Sequence, residues 1–514
     1  LLLCLVRFRE KAKGDLMNRK LVKKGSAKSK SRSKAIKKTQ AKKNLASRHQ
    51  ATKGQVSKAR GNKDQAGQYV ADAVLGIDTL WGGDVMCASG TGRFIADSWF
   101  SDEPLPAAYT HPGAARLRQS GGVSGKTIDR AALDQYLHDI NLPKAIAGIR
   151  TEAGKLSGSS GNAAKSNRLR KSYLIGLADS IETMFDLAME VAGQGDKVPY
   201  ARCVEASTGK PPEPSQPEKK RALVSELLGR TGYLPAKGKN GTGLLEAVDA
   251  WRRDRVSPMA SVRSLGAAVI AHFNQLSAKN LLPYLPKELA AVPRANIDFL
   301  AIKDAWFSGS MNYLGHARNR DGSPQYEATY EINASLQISY PEFEQLVSHE
   351  VVPGHVTTFA YLQNLYVRGR AGFETTVLTM NTRAATLFEG IANNAILIAH
   401  GVTEIDQLPD EDLRIGVLLA LLQDDAKNQS SYLTWGEDRP QTEVAATLRR
   451  DFLVTEERAD KLSGAWGRHP LLGRMYLPAY RAGTEKVAAL RRKHPAARVL
   501  PAIYGCNGLV DIQT

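Results

Sequence analysis

The chain has 514 residues, 42% hydrophobic and 24% charged, with a formal charge of +18. That is an ordinary globular composition with length for roughly two to four domains. The charge excess lies in one segment, because residues 1–66 hold 21 Lys and Arg against Glu10, Asp15 and Asp64, and the remainder holds 49 basic and 49 acidic residues. A pI of 9.6 therefore says nothing about a site in the neutral body. Cys4, Cys87, Cys203 and Cys506 are too scattered for a CxxC metal clip or a disulfide framework. No apolar run approaches the roughly 20 residues that cross a bilayer. The opening LLLCLV is followed, not preceded, by basic residues, the reverse of a secretory signal, so the compartment stays unknown.

In chain order, residues 11–66 are rich in Lys, Ser, Ala and Gln and poor in aromatic and branched apolar residues. Such a basic arm cannot bury enough surface to offset ordering its backbone, and is expected to be disordered. Its cations would suit phosphate neutralisation on nucleic acid or an acidic membrane, without base stacking, since no aromatic residues interleave. From residue 67 the composition is globular, giving a helical amino-terminal part (67–290) and a part carrying the motif (291–514), packed as one body. The stretches 154–167 and 209–219 read as loops from their Gly, Ser and Pro. Apolar residues at three- and four-residue spacing predict helices over 173–192 and 220–229, and a more apolar core helix over 260–282. Residues 325–339 break the helical habit: Tyr326, Ala328, Tyr330, Ile332 and Ala334 alternate with Glu327, Thr329, Glu331 and Asn333, which predicts a half-buried strand. Further helices are expected over 341–352, 356–369, 374–399 and 478–493. The fold class is mostly α with a small β-sheet beside the motif.

The chemistry concentrates in the run HEVVPGH, His349 to His355. Zinc hydrolases need neutral imidazole ligands, a carboxylate near the attacking water and an open coordination position. A regular HExxH helix places its two histidines one turn apart. Here the second is six residues on, and six steps of about 100° leave the two side chains roughly 240° apart. A shared ion therefore requires an interrupted helix, which Pro353-Gly354 supplies. The third ligand must come from elsewhere, and Glu389, in the apolar run TLFEGIANNAI, is the best candidate.

HEVVPGH, the strand ending near Asn333, the helix holding FEG, and a late YRAG followed by LR resemble a bacterial family of zinc peptidases labelled only as a domain of unknown function, number 885. The resemblance covers about 290–495. It implies a helical zincin-like fold in which His349, His355 and Glu389 bind zinc and Glu350 is the general base. Asn333, Tyr480 and Arg491 match other recurrent positions. The chain departs from the family in Val356-Thr357-Thr358 after PGH, and in Ile391 to Asn394 after EG, where a tryptophan is usual.

The expected activity is zinc-dependent hydrolysis of a peptide substrate, with Glu350 taking the water's proton and returning it to the leaving amine. Tyr480 is the candidate oxyanion donor. The strand near 326–336, with Tyr330 and Asn333, is the candidate to align an extended peptide, and Arg491 a further substrate contact. His316, in NYLGHARNR, is a candidate for meeting a carboxylate or the oxyanion; His400 and His469 stand apart from the motif. Two other readings stay open: a polyanion-binding protein acting through its basic arm, and a pseudoenzyme that keeps the fold as a scaffold.

Overall fold

A computed structural model describes residues 64–82, 96–99, 130–156, 161–234, 241–257, 262–302, 309–333 and 338–506. Residues 1–63 of the expected basic arm lie outside the described residues.

The described amino-terminal elements are α1 (Gln65–Gly82), β1 (Ala96–Trp99), α2 (Arg130–Ile140), α3 (Leu142–Lys155), α4 (Gly161–Ala192), α5 (Tyr200–Thr208), α6 (Glu218–Arg230), α7 (Gly241–Asp254) and α8 (Val262–Asn280). The strands β2 (Asn296–Ile302), β3 (Gly309–Tyr313) and β4 (Glu327–Asn333) follow, then α9 (Tyr340–Glu350) and α10 (His355–Val367). The chain continues through β5 (Val377–Thr379), α11 (Arg383–Asn393), α12 (Ala395–His400), α13 (Glu411–Ser431), α14 (Gln441–Phe452), α15 (Glu456–Lys461), α16 (Leu477–Lys493) and α17 (Ala496–Pro501). The protein is mostly helical with a small sheet, as the periodicity predicts. Among the described residues, no helix is long and apolar enough to cross a membrane.

Three local expectations are corrected. Residues 161–167 belong to α4, because NAAKSNRLR contains good helix formers. Within the segment expected over 260–282, α8 covers Val262–Asn280 and buries one stripe (Val262, Gly266, Val269, Phe273, Ser277) while exposing the opposite side, so it lies on the surface of the core. No single helix covers 374–399. The β-branched run Thr375–Thr379 ends in β5, Asn381 takes a left-handed backbone at φ 63°, and only then does Thr382 cap α11 by accepting from Ala385 N–H.

The three-stranded sheet has the order β2–β4–β3, with β4 parallel to β2 and antiparallel to β3. Alternation in β4 sends Ala328, Tyr330 and Ile332 into the core. A central strand has no free edge, so β4 cannot take up a peptide by strand addition. The edges belong to β2 and β3.

One hydrophobic cluster runs through residues of both halves, including Val70, Leu174, Phe273, Phe359 and Ile391. Helix α10 is buried on every side from His355 to Tyr366. It is the apolar axis on which the motif is hung.

Candidate metal centre

Helix α9 is built to deliver His349. Ser339 caps it by accepting from Glu342 N–H, Pro341 occupies the first turn, and Phe343 and Val347 anchor one face. The helix ends at Glu350. Residues 351–354 form the interruption, with a cis Val352–Pro353 peptide bond, and α10 begins at His355. Tyr504 donates a hydrogen bond to the Pro353 carbonyl at 2.7 Å, fixing the bend from outside. Thr357 and Thr358, the residues that depart from the family pattern, bond the same bend: their hydroxyls donate to the carbonyls of Val351 (3.2 Å) and Gly354 (2.9 Å). Gly354 is required by space. A Cβ there would stand 1.8 Å from the His349 carbonyl oxygen.

The bend turns the two imidazoles toward each other, with ring centroids 4.8 Å apart and planes at 88°. Glu389 enters from α11, and its Oε2 lies 3.4 Å from His349 Nε2 and 3.8 Å from His355 Nε2. All three candidate ligand atoms lie within 4.8 Å of one another. Ligands about 2.1 Å from one tetrahedral ion stand about 3.4 Å apart, so the set has the dimensions of a zinc site. Glu389 Oε2 is buried and accepts no hydrogen bond, an orphaned lone pair aimed at both imidazoles. Two neutral nitrogens and one carboxylate oxygen are also the donor types zinc takes. The residues fit the metal.

The field at this point is negative. Burial alone would lower the His349 pKa, but Glu389, with the charges of Glu350 and Asp424, holds it at about 9. Burial would raise the Glu389 pKa, and the two imidazoles instead hold it well below the carboxylate range. A site that retains a proton so strongly offers the same attraction to a cation.

A second layer sets the ligands' orientation. Thr484 donates to the Tyr480 carbonyl (2.8 Å) and accepts from Asn393 Nδ2 (2.8 Å). That fixes the Asn393 amide with Oδ1 toward His349 Nδ1, 2.7 Å away. An amide oxygen only accepts, so Nδ1 of His349 carries a proton whether the ring is neutral or charged, and Nε2, facing Glu389, is the nitrogen free to exchange its proton for a metal. Tyr476 donates to Glu389 Oε1 at 2.6 Å, leaving Oε2 for the centre. His355 is held differently, stacked on Phe359 at 5.7 Å and 20° with Nδ1 unpartnered.

The structure brings His349, His355 and Glu389 together, with Glu350 next to His349 in the chain, and distributes the other candidates elsewhere. Glu350 is half-buried at the end of α9, beside His349. The hydroxyl that meets Glu389 is that of Tyr476, and the Tyr480 ring packs edge-on against Tyr476 at 5.2 Å. Tyr330 is fully buried, packed edge-on against Phe299 at 5.3 Å, and is a core residue instead of a substrate contact. Asn333 is buried at the end of β4, paired in register with Ile302. Arg491 is buried, donating to the carbonyl of Val402 and to Asn394 Oδ1 at 3.3 Å, so it ties helices together instead of meeting substrate. His316 is exposed in the turn after β3 and is not part of the three-residue cluster. His400 ends α12 beside His272, at 6.2 Å between rings. Cys203 is buried and unpaired, its thiol pushed up to about 11 by burial, and is chemically inert.

The sequence reading missed Asn393, Tyr476 and Thr484. A signal existed for the first, since Asn393 is four residues after Glu389 and shares its helix face. The glycines of FEG and YRAG also have a joint role. A Cβ on Gly390 would lie 2.2 Å from the Gly483 carbonyl oxygen, and one on Gly483 would lie 1.9 Å from that of Thr386. Helices α11 and α16 thus cross in backbone contact, which brings Tyr476 and Thr484 to Glu389 and Asn393.

No family model matches the chain, and no curated protein matches it. Two solved structures are similar in shape. One, described as a lipoprotein from Colwellia psychrerythraea, is 14% identical with a TM-score of 0.44, covering 79% of this chain and 71% of that one. The other, described as a lipoprotein of unknown function from Shewanella oneidensis, is 11% identical with a TM-score of 0.43, covering 74% of this chain and 79% of that one.

Proposed function

We propose that this protein is a zinc-dependent hydrolase acting on peptide bonds, of the kind suggested by the HExxPGH resemblance to family 885. The observation that carries the proposal is the convergence of His349 Nε2, His355 Nε2 and Glu389 Oε2 on one point, with Glu350 adjoining.

His349, His355 and Glu389 would hold the ion through those three atoms. Zinc bound there supplies a Lewis acid and lowers the pKa of a water toward about 7. The chain's own residues divide the remaining work. Glu350 accepts the water's proton on its carboxylate and returns it to the leaving amine, a contribution of about 10²–10⁴-fold in rate. Asn393 keeps the His349 proton on Nδ1, so that Nε2 stays a donor of electrons. Tyr476, bonded to Glu389 Oε1, holds that carboxylate with Oε2 forward.

The test is Glu350→Gln, assayed for bound zinc and for cleavage of a mixed peptide library. Retained zinc with hydrolysis reduced at least 100-fold is the expected result. Wild-type protein that binds zinc and cleaves nothing would make the fold a scaffold, and wild-type protein that binds no zinc would end the proposal.

A further inference from the structure

A second cleft lies on a different side of α11 from the metal ligands. Arg383 opens that helix and Glu389 follows six residues later, so the two side chains leave the axis roughly 240° apart. Arg383 faces α4 and the end of α5 instead. Its Cδ would lie 3.3 Å from a Cβ placed on Gly176 and 3.7 Å from one placed on Gly209. Gly209 takes a left-handed backbone at φ 75° where α5 ends. Two glycines thus leave room for the arginine stem between the helices.

Beside the stem is an open cleft of about 240 Å³, bounded by Ser172, Tyr173 and Gly176 of α4 and by Thr382, Arg383 and Ala384 at the start of α11. Arg383 is the charged residue of that lining, and its Nε is shielded from solvent with no hydrogen-bond partner. Among the described residues no acid pairs with this guanidinium. Glu374 bonds Arg170 at 2.8 Å, and Asp179 bonds Arg150 at 2.7 Å. Two hydroxyls of the lining are turned to the backbone: Tyr173 donates to the Glu374 carbonyl at 3.0 Å, and Thr382 to the Thr379 carbonyl at 2.6 Å.

A guanidinium carries five N–H donors in a planar fork and stays charged at any working pH. Holding it partly out of water with no acceptor facing it is unfavourable, and an anion in the cleft removes that cost. The backbone favours the same ligand. The first N–H groups of α11 have no partner within the helix, and the positive end of its dipole lies at Arg383, where a cation alone is disfavoured.

We infer that this cleft binds an oxyanion whose two oxygens meet the Arg383 fork, the phosphate or the carboxylate group of a small molecule. The site is separate from the metal centre and goes beyond the peptidase reading.

The full chain, as purified with its metal, is titrated by calorimetry with inorganic phosphate and with acetate, in chloride at constant ionic strength. Saturable binding of at least one of the two is expected, and the tighter one names the group. Arg383→Gln is expected to weaken it about tenfold or more, the loss of a bidentate charged contact, with zinc content unchanged. Arg383→Lys keeps the charge without the fork and should fall between the two. Binding at wild-type strength in Arg383→Gln would place the anion on the metal or the basic arm and overturns the inference. A second measure needs no variant: phenylglyoxal labelling of the wild type, read by peptide mass spectrometry. Saturating anion should protect Arg383 and leave Arg492, paired at the surface with Glu404 at 2.7 Å, as reactive as before. Unchanged labelling of Arg383, or no saturable binding of either anion, overturns the inference whether or not Arg383→Gln folds.

Discussion

Two buried histidine environments in this protein show how a structural imidazole differs from a ligand. His469 is buried alone, and its Nδ1 accepts from the backbone N–H groups of Leu471 (3.2 Å) and Leu472 (3.1 Å). Its ring lies 6.2 Å from Trp81, no acid faces it, and burial pushes its pKa down to about 4. There the lone pair is spent on the chain's own donors. At His349 and His355 the Nε2 atoms face Glu389 Oε2, and neighbouring acids hold the His349 pKa at about 9, so what occupies the space between them is a proton or a cation. Both environments shield imidazoles from water; only one sets two ring nitrogens and a carboxylate around a shared point. Acceptors packed together with no donor between them are costly unless a cation or proton joins them.

The largest effect that can break this comparison is removal of a ligand. His355→Ala or Glu389→Ala should lower zinc affinity at least 1000-fold, read as metal content after dialysis against a weak chelator. His469→Asn should leave zinc content at the wild-type level. Equal losses in all three would mean that the two environments do not differ as described.

His469 itself predicts the next largest effect. Its folded pKa of about 4 lies below the ordinary 6.5, so the neutral form is the one the fold prefers. That preference contributes fully above pH 6.5 and is lost as the pH falls from 6.5 to 4, amounting to about 3 kcal/mol. Denaturant melts of zinc-free protein between those limits should lose stability on acidification. In His469→Asn, whose amide oxygen can accept the same two N–H groups, the slope should be shallower by one proton. An unchanged slope would show that His469 is not buried neutral.

Most of the helical scaffold was legible because apolar spacing dictates which face of a helix is buried, and the alternation in β4 was legible for the same reason. The sheet around it was not. The edge strand β2, NIDFLAI, buries Phe299 and leaves Asn296 and Asp298 exposed, but Leu300, Ala301 and Ile302 follow as three consecutive apolar residues and blur its alternation in the sequence, and β3 depends on Gly309, where a Cβ would collide with the Tyr330 hydroxyl at 2.2 Å. At the centre, His349, His355 and Glu389 could be found because six-residue spacing plus a helix breaker has few geometric outcomes. Tyr476 could not. A wide π-helical turn over Leu472–Tyr476 shifts the phase of the following helix, so the tyrosine that reaches Glu389 is one turn ahead of the one in YRAG. Arg491 was misjudged because its partners, the Val402 carbonyl and Asn394, come from a segment about 90 residues away.

The finest distinction between the two environments is how each imidazole's tautomer is set, and Asn393 tests it. His469 has its proton placed by two backbone donors, whereas His349 has its proton placed by a side-chain relay from Tyr480 O through Thr484 and Asn393. Asn393→Ala removes the Nδ1 acceptor while leaving all three ligands in place, so zinc should still bind, with affinity reduced about 10–100-fold. Asn393→Asp should restore affinity, because a carboxylate accepts from Nδ1–H as well as an amide does. Thr484→Val should show a smaller loss, since Asn393 would keep its oxygen but lose the partner that orients it. If Asn393→Ala binds zinc as tightly as the wild type, the bend at Pro353 and the packing of the ring suffice to aim His349, and the relay has no part in it.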